Sequence, residues 1–300
     1  MFIRKLVSFF VAFGTFFSLV FNGDGDVYFK NYVKINMVYG AEERQVLDLY
    51  LPRKAEGDIG LILFLHGGAW IGGDKESYRD ELKYWTQQGY AAAAMNYRYV
   101  SDTSDLNDIM DDITAGLEKI KAFGEKKNVN IDKMLLTGSS AGGHLSLLYA
   151  YSRVNEAPIK PAAVVSYCGP VDLTNPELMY GKNNKGSDLG TPETIAWLLS
   201  MCCGKTFAHN EIDSVKDLLL DVSPVKYINK NCVPTVICHG AVDTVVPYSD
   251  AVTLDRELTK CGVKHDFITY PNSNHGLDMD PVENAQARQL FIEYAEAYVK

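Results

Sequence analysis

Cysteine is scarce in this 300-residue chain: six residues, none in a Cys-x-x-Cys pair and none at the Cys/His spacing of a zinc site. A structural zinc module is thereby excluded. The longest apolar run covers residues 6–21, short of the roughly 20 apolar residues a bilayer-spanning helix needs, so a multi-span membrane protein is excluded as well. Positive charge is the minority: 29 Lys and Arg face 38 Asp and Glu, a net charge of −9. A surface of that sign repels phosphate backbones, and nucleic acid is no partner to expect. There is no internal repeat and no low-complexity tract beyond the N-terminal apolar run. What remains, at 47% hydrophobic and 22% charged, is the balance of an ordinary packed domain.

Arg4 and Lys5 precede the apolar run, and Asn22, Gly23 and Asp24 close it. A basic head before a medium apolar stretch is the layout of an export signal, although no small-x-small cleavage site follows. Residues 1–23 are therefore expected to be a signal peptide or an uncleaved anchor, which would make the chain secreted, periplasmic or envelope-bound. A membrane is a partner only in the second case. Cys168 and Cys238 fall in apolar strand-like runs, where a thiol acts as a small hydrophobe. The neighbouring Cys202 and Cys203 are awkward to bridge. Mostly free thiols are expected, with room for one disulfide.

Short apolar runs predict strands at 46–51, 59–65, 90–96, 133–137, 162–167, 235–238 and 266–270. Helical periodicity predicts helices at 77–88, 105–123, 141–151, 248–260 and 282–299. In the second of these, Leu106, Ile109, Ile113, Leu117 and Ile120 share one face. Strands alternating with helices of that length predict an α/β domain over residues 30–300, a mostly parallel sheet covered on both faces. Residues 173–220 break the alternation and are expected to form a cap over the active-site end.

Gly138-Ser139-Ser140-Ala141-Gly142 stands between a predicted strand and a predicted helix. A Gly-x-Ser-x-Gly string is weak evidence alone; in this setting it predicts a sharp turn that lifts Ser140 above the sheet at a helix N-terminus. Ser139, the rival nucleophile, has no glycine two residues before it. His66-Gly67-Gly68-Ala69-Trp70 follows another strand. Acyl transfer builds charge on a carbonyl oxygen and needs N–H donors there, so Gly68, Ala69 and Ala141 are expected to form an oxyanion hole. Trp70, next to them, is expected to contact substrate. A serine also needs a base, and the base a carboxylate to orient it. Asp243 and His275 both sit just past predicted strand ends, where ligand chemistry gathers in such sheets. Asp172 competes with Asp243 for the acid role. His66, His144 and His239 are expected to hold loops or pack, His209 and His265 to be packed or solvated, and Asp278 and Asp280 to be surface or helix N-cap residues.

These residues resemble the α/β-hydrolase superfamily, in the branch of small esterases with a His-Gly-Gly oxyanion loop. The likeness includes Leu49-Tyr50-Leu51-Pro52, Gly73-Asp74-Lys75, Asn96-Tyr97-Arg98, Ser223-Pro224, His239 to Pro247 and His275-Gly276. Together they are similar to the BD-FAE, carbohydrate-esterase-like group, with kynurenine formamidases and hormone-sensitive-lipase-type esterases as relatives. The resemblance implies hydrolysis of small acyl esters, including acylated sugars, by Ser140, His275 and Asp243 without a cofactor or a metal. Ala69 departs from the His-Gly-Gly-Gly form, at a position that works through its backbone. An amidase, arylformamidase or peptidase on the same sheet stays open, as does a binding module that has lost its chemistry. Oligomeric state is not legible.

Overall fold

Alternating aliphatic side chains along successive strands build the two faces of one sheet. The computed structural model describes residues 27–28, 31–181 and 187–300; the N-terminal segment 1–23 lies outside them. The strands are β1 (Val27–Tyr28), β2 (Tyr32–Val38), β3 (Val46–Pro52), β4 (Gly57–Asp58), β5 (Leu61–Leu65), β6 (Ala91–Met95), β7 (Val129–Asn130), β8 (Lys133–Ser139), β9 (Lys160–Tyr167), β10 (Thr235–Gly240) and β11 (His265–Tyr270). Nine of them form one sheet in the order β1-β2-β3-β6-β5-β8-β9-β10-β11, while β4 and β7 pair apart. From β6 through β11 the sheet is parallel; β1, β2 and β3 join antiparallel at one edge. This is an α/β architecture, as the run of strands and helices predicts.

The period-two rule divides the core. Leu61, Leu63 and Leu65 of β5 enter one hydrophobic cluster and Ile62 and Phe64 the other, all 3% exposed or less. Burying each such side chain contributes about 1.5–3 kcal/mol. The helices are α1 (Arg79–Gln87), α2 (Leu106–Lys126), α3 (Ala141–Ser152), α4 (Pro176–Tyr180), α5 (Pro192–Cys203), α6 (Lys216–Asp221), α7 (Tyr248–Cys261) and α8 (Pro281–Tyr298). Helix α2 begins where Asp105 accepts from the N–H groups of Asn107 and Asp108, and the Asp108 carboxylate answers on the Asp105 N–H. Its predicted stripe, Leu106 to Ile120, is fully buried.

Two expectations shift. Strand β2 is not among the predicted strands. The predicted helix from 77 splits into a 3₁₀ turn, Lys75–Tyr78, opened by the Asp74 carboxylate on the Glu76 N–H, followed by α1. Between β9 and β10 the chain carries α4, α5, α6 and two 3₁₀ segments, His209–Val215 and Pro224–Tyr227. Ser223 ties the two ends of that stretch: its hydroxyl accepts from the Leu173 N–H at 2.9 Å and donates to the Leu219 carbonyl at 2.7 Å. All six cysteines are free thiols, with Cys168, Cys202 and Cys238 buried. Among the described residues, no helix is long and apolar enough to cross a membrane.

Candidate active site

The parallel strands β5, β8, β9, β10 and β11 all end at the same edge of the sheet, and the singled-out residues follow those ends. Ser140 follows β8 directly, with φ of 56° and ψ of −124°, a conformation that L-residues rarely adopt. Its N–H donates to the Tyr167 carbonyl at 2.8 Å and its own carbonyl accepts from the His144 N–H at 3.0 Å, so strand β9 and helix α3 hold the turn. The glycines around it answer to strand β5. A Cβ on Gly142 would stand 1.9 Å from the Leu65 carbonyl oxygen, so only glycine lets α3 start this close to the end of β5. Ser140 is 8% exposed, and among the described residues its hydroxyl makes no hydrogen bond.

The loop after β5 passes directly over this turn. A Cβ on Gly67 would meet that of Ser140 at 3.4 Å, and Gly68 stands at φ +116°, a region only glycine enters freely. Ala69 and Trp70 follow at φ 51° and 59°, two strained residues in succession. What holds them is a set of polar contacts from the motifs around the loop. The Tyr97 hydroxyl donates to the His66 carbonyl at 2.6 Å, and the two rings stack at 4.1 Å. Arg44 donates to His66 Nε2 at 3.2 Å, which leaves Nδ1–H to donate to the Gly67 carbonyl at 2.9 Å. Asn96 bridges Asp74 and the Lys75 N–H, and Lys75 in turn pairs with the buried Asp48. Burial first, and Arg44 besides, push His66 down to about 4.

Among the described residues, the N–H groups of Gly68, Ala69 and Ala141 make no hydrogen bond inside the protein. All three residues are buried. Unpaired buried donors are rare in folded proteins, and three in this loop-and-helix arrangement suit a developing oxyanion.

Trp70 corrects an expectation. It is 3% exposed, and its indole N–H donates to His144 Nδ1 at 3.3 Å. His144 Nε2–H then donates to the Val222 carbonyl at 2.8 Å. The indole thus anchors the loop to α3 and to the end of the 173–220 stretch, and turns inward instead of offering a face to substrate. His144 is fully buried, and burial pushes it down to about 4 against the opposing effect of its bond to the Val222 carbonyl.

Asp243 and His275 meet. His275 Nδ1 lies 2.8 Å from Asp243 Oδ2, the carboxylate accepting the Nδ1–H and leaving Nε2 as the open nitrogen. Asp243 Oδ1 accepts from the N–H groups of Val245 and Val246 at 2.8 and 3.0 Å. His239 Nε2, which donates to the Val246 carbonyl at 3.0 Å, is 3.3 Å from Asp243 Oδ2. Burial alone would raise the Asp243 carboxyl, but the hydrogen bonds from His239 and His275 outweigh it and hold it well below the usual carboxylate range. Asp172, the competitor, turns away: its carboxylate accepts from the N–H and hydroxyl of Thr174.

One further reading changes. Asp280 stands at the start of α8 but is 3% exposed, and its carboxylate accepts from the Asn272 N–H and side chain and the Ser273 hydroxyl, bracing the histidine loop. His265 binds the Val263 carbonyl and Asp255, and His209 lies 3.5 Å from Glu193. Sequence reading missed Asp250, a buried carboxylate that accepts from the Val171 and Asp172 N–H groups and from Asn175. It missed Cys168 too, whose thiol lies against Asp243. Cys168, His239 and Asp243, all buried, are the one group among the described residues whose donor atoms could hold a metal ion, within 4.8 Å of one another.

A family model described as BD-FAE matches residues 47–258. Esterase LipC of Mycobacterium tuberculosis is 24% identical over 256 residues, 81% of this chain and 59% of LipC. The probable isoprenylcysteine alpha-carbonyl methylesterase ICMEL2 of Arabidopsis thaliana is 31% identical over 258 residues, 83% of this chain and 58% of that protein. The chain thus spans between half and two thirds of the length of these curated relatives. Among solved structures, a truncated carbohydrate esterase from gut microbiota superposes with a TM-score of 0.68 at 22% identity, covering 91% of this chain and 99% of that one. Esterase B from Lactobacillus rhamnosis gives 0.68 at 20% identity, over 89% of this chain and 86% of its own. The fold they share with it is the α/β-hydrolase fold that the sequence motifs imply. With the family model matching most of its length, the chain belongs to the BD-FAE family.

Proposed function

We propose that this chain is a serine esterase that cleaves carboxylic esters of small acyl groups. The observation that carries the reading is the Asp243–His275 contact of 2.8 Å at the sheet edge where Ser140 stands on its strained turn. Asp243, held ionised, fixes the Nδ1–H tautomer, and Nε2 is the base. Nε2 takes the Ser140 proton as Oγ bonds to the ester carbonyl carbon, and the carbonyl π pair moves onto oxygen. The N–H groups of Gly68, Ala69 and Ala141 hold that charge. Collapse breaks the carbon–oxygen bond to the alcohol, which leaves with the proton from His275. A water then repeats the sequence, delivering the acid and restoring Ser140.

For the alcohol side the reading favours an acylated sugar. A cavity of about 470 Å³, lined by none of Ser140, Asp243 and His275, lies between α5, the segment after it and the loop after β6, with Trp197, Asp102, Glu193 and Thr206 on its wall. Trp197 is 46% exposed there, an apolar face for ring C–H groups beside carboxylates that accept from hydroxyls. The solved neighbour named as a carbohydrate esterase supports the same class, and the basic head and apolar run of residues 1–23 support export. Turnover of p-nitrophenyl acetate by the wild type and by Ser140→Ala tests the chemistry. The variant should fall by a factor of about 10⁴ or more; wild-type-like turnover would overturn the assignment. Trp197→Ala should slow deacetylation of acetylated oligosaccharides and leave p-nitrophenyl acetate turnover unchanged, and equal rates on both substrates would remove the sugar reading.

A further inference from the structure

Thr244 stands one residue past Asp243, and Asn274 one residue before His275, and the structure joins them. Asn274 Oδ1 accepts from the Thr244 N–H at 2.9 Å and from the His275 N–H at 2.8 Å. The Thr244 hydroxyl has one proton and two acceptors in reach, Asp188 Oδ2 at 2.5 Å and Asn274 Oδ1 at 3.0 Å; the carboxylate, closer and charged, takes it. A backbone bond from the Asp188 N–H to the Thr244 carbonyl, at 2.9 Å, runs beside that contact. Asp188 belongs to a tight turn closed by paired bonds between Ser187 and Gly190, within the stretch between β9 and β10, and its neighbour Leu189 is buried in the core. Three loops therefore meet on Thr244: the acid loop, the histidine loop and a turn of the 173–220 stretch.

The imidazole itself is held by one side-chain contact, to Asp243, while Asp280 braces the histidine loop further back, at Asn272 and Ser273. The loop is also under strain, because Leu277, two residues past His275, stands at φ 52°. Strain of that kind persists only where surrounding contacts impose it, and a displacement of about 1 Å at a reacting group costs on the order of 10²-fold in rate. We propose that Thr244 and Asn274 are positioning residues, forming a second link parallel to Asp243–His275, and that Asp188 uses this link to make the placement of the 173–220 stretch felt at the base. The inference rests on the esterase reading. It assigns to that stretch a role in turnover.

The test measures kcat, KM and the pH profile of kcat/KM on p-nitrophenyl acetate for the full chain carrying Asn274→Ala, Asn274→Asp, Thr244→Val or Asp188→Ala, with Ser140→Ala alongside. Asn274→Ala should lower kcat by about 10- to 100-fold with KM within about threefold, because an unheld base loses alignment rather than substrate. Asn274→Asp keeps the acceptor and should recover most of that rate. Its new negative charge favours the protonated imidazole, so the acid limb of its profile should move to higher pH. Thr244→Val and Asp188→Ala should each lower kcat several-fold. A variant that misfolds leaves the Asn274→Asp profile to decide, since that substitution retains the acceptor oxygen. Variants within twofold of wild type with an unmoved profile, beside an inactive Ser140→Ala, overturn the positioning role alone. An active Ser140→Ala overturns the esterase reading and this inference with it.

Discussion

Asp243 is a carboxylate held through both oxygens: two backbone N–H groups on Oδ1 and His275 on Oδ2, with His239 Nε2 3.3 Å away. In the proposed reaction its charge holds His275 in the tautomer that leaves Nε2 free. Asp243→Asn keeps the shape and presents an amide to Nδ1, which favours the wrong tautomer. Turnover should fall by about 10⁴-fold, with the fold retained by circular dichroism. A loss under tenfold would show that Asp243 does not orient the base. The Gly142 position makes a different kind of demand. Its added Cβ would meet the Leu65 carbonyl at 1.9 Å, a backbone atom that no rotamer change can move. Gly142→Ala should cost about 3 kcal/mol or more in a denaturant titration, and an unchanged midpoint would contradict the close approach of α3 to β5.

At the scale of elements, the site is a set of loops following strand ends, each tied to its neighbour by side chains. Trp70, His144 and Val222 form one such tie, from the loop after β5 through α3 to the residues just past the 173–220 stretch. Trp70→Phe leaves His144 Nδ1 as a buried acceptor with no donor. It should cost about 1–3 kcal/mol and lower kcat more than it raises KM; activity and melting temperature both equal to wild type would remove the tie.

The sequence made much of this layout legible for a local reason. A strand buried on both faces reads as an apolar run, and serine flanked by glycines two positions away, between a strand and a helix, marks a turn too tight for other side chains. Less visible were contacts between distant segments. Strand β2 lies at the antiparallel edge, where Asn36 and Val38 are exposed and the apolar run is diluted. Trp70 reads as a substrate contact because it sits in the loop, yet His144, 74 positions later, draws its indole inward. Asp280 reads as a surface or helix-cap residue because it follows His275 so closely in sequence, while its partners lie eight and seven residues back in the histidine loop. Asp250 carries no motif, and only the return of the chain past β9 makes it a buried acceptor.

For the whole molecule, the buried titrating groups set how stability follows pH. His66 and His144 are both pushed down to about 4, whereas the unfolded chain takes up a proton near the usual 6.5. Between those values the unfolded state binds more protons, so stability is present above 6.5 and is lost as pH falls toward 4, on the order of 3 kcal/mol for each. Asp250, pushed up to about 6 by burial, works in the opposite direction over nearly the same window and offsets roughly one of the two. Net destabilisation on acidification is expected between pH 6.5 and 4.5. Urea midpoints at several pH values should fall across that range, and His144→Gln, which cannot protonate there, should show a shallower fall. Parallel curves for the two proteins would mean His144 does not titrate between folded and unfolded states as described.

In the proposed reaction one serine, on the turn between β8 and α3, is made nucleophilic by a base brought to it from the far end of the chain. The direct measurement is covalent labelling with a fluorophosphonate, the modified residue located by mass spectrometry of the digested protein, for the wild type and for His275→Ala. A single adduct on Ser140 is expected in the wild type, with labelling slowed by orders of magnitude in His275→Ala. An adduct on Ser139 or elsewhere, or labelling of Ser140 at the same rate without His275, would contradict the proposed reaction.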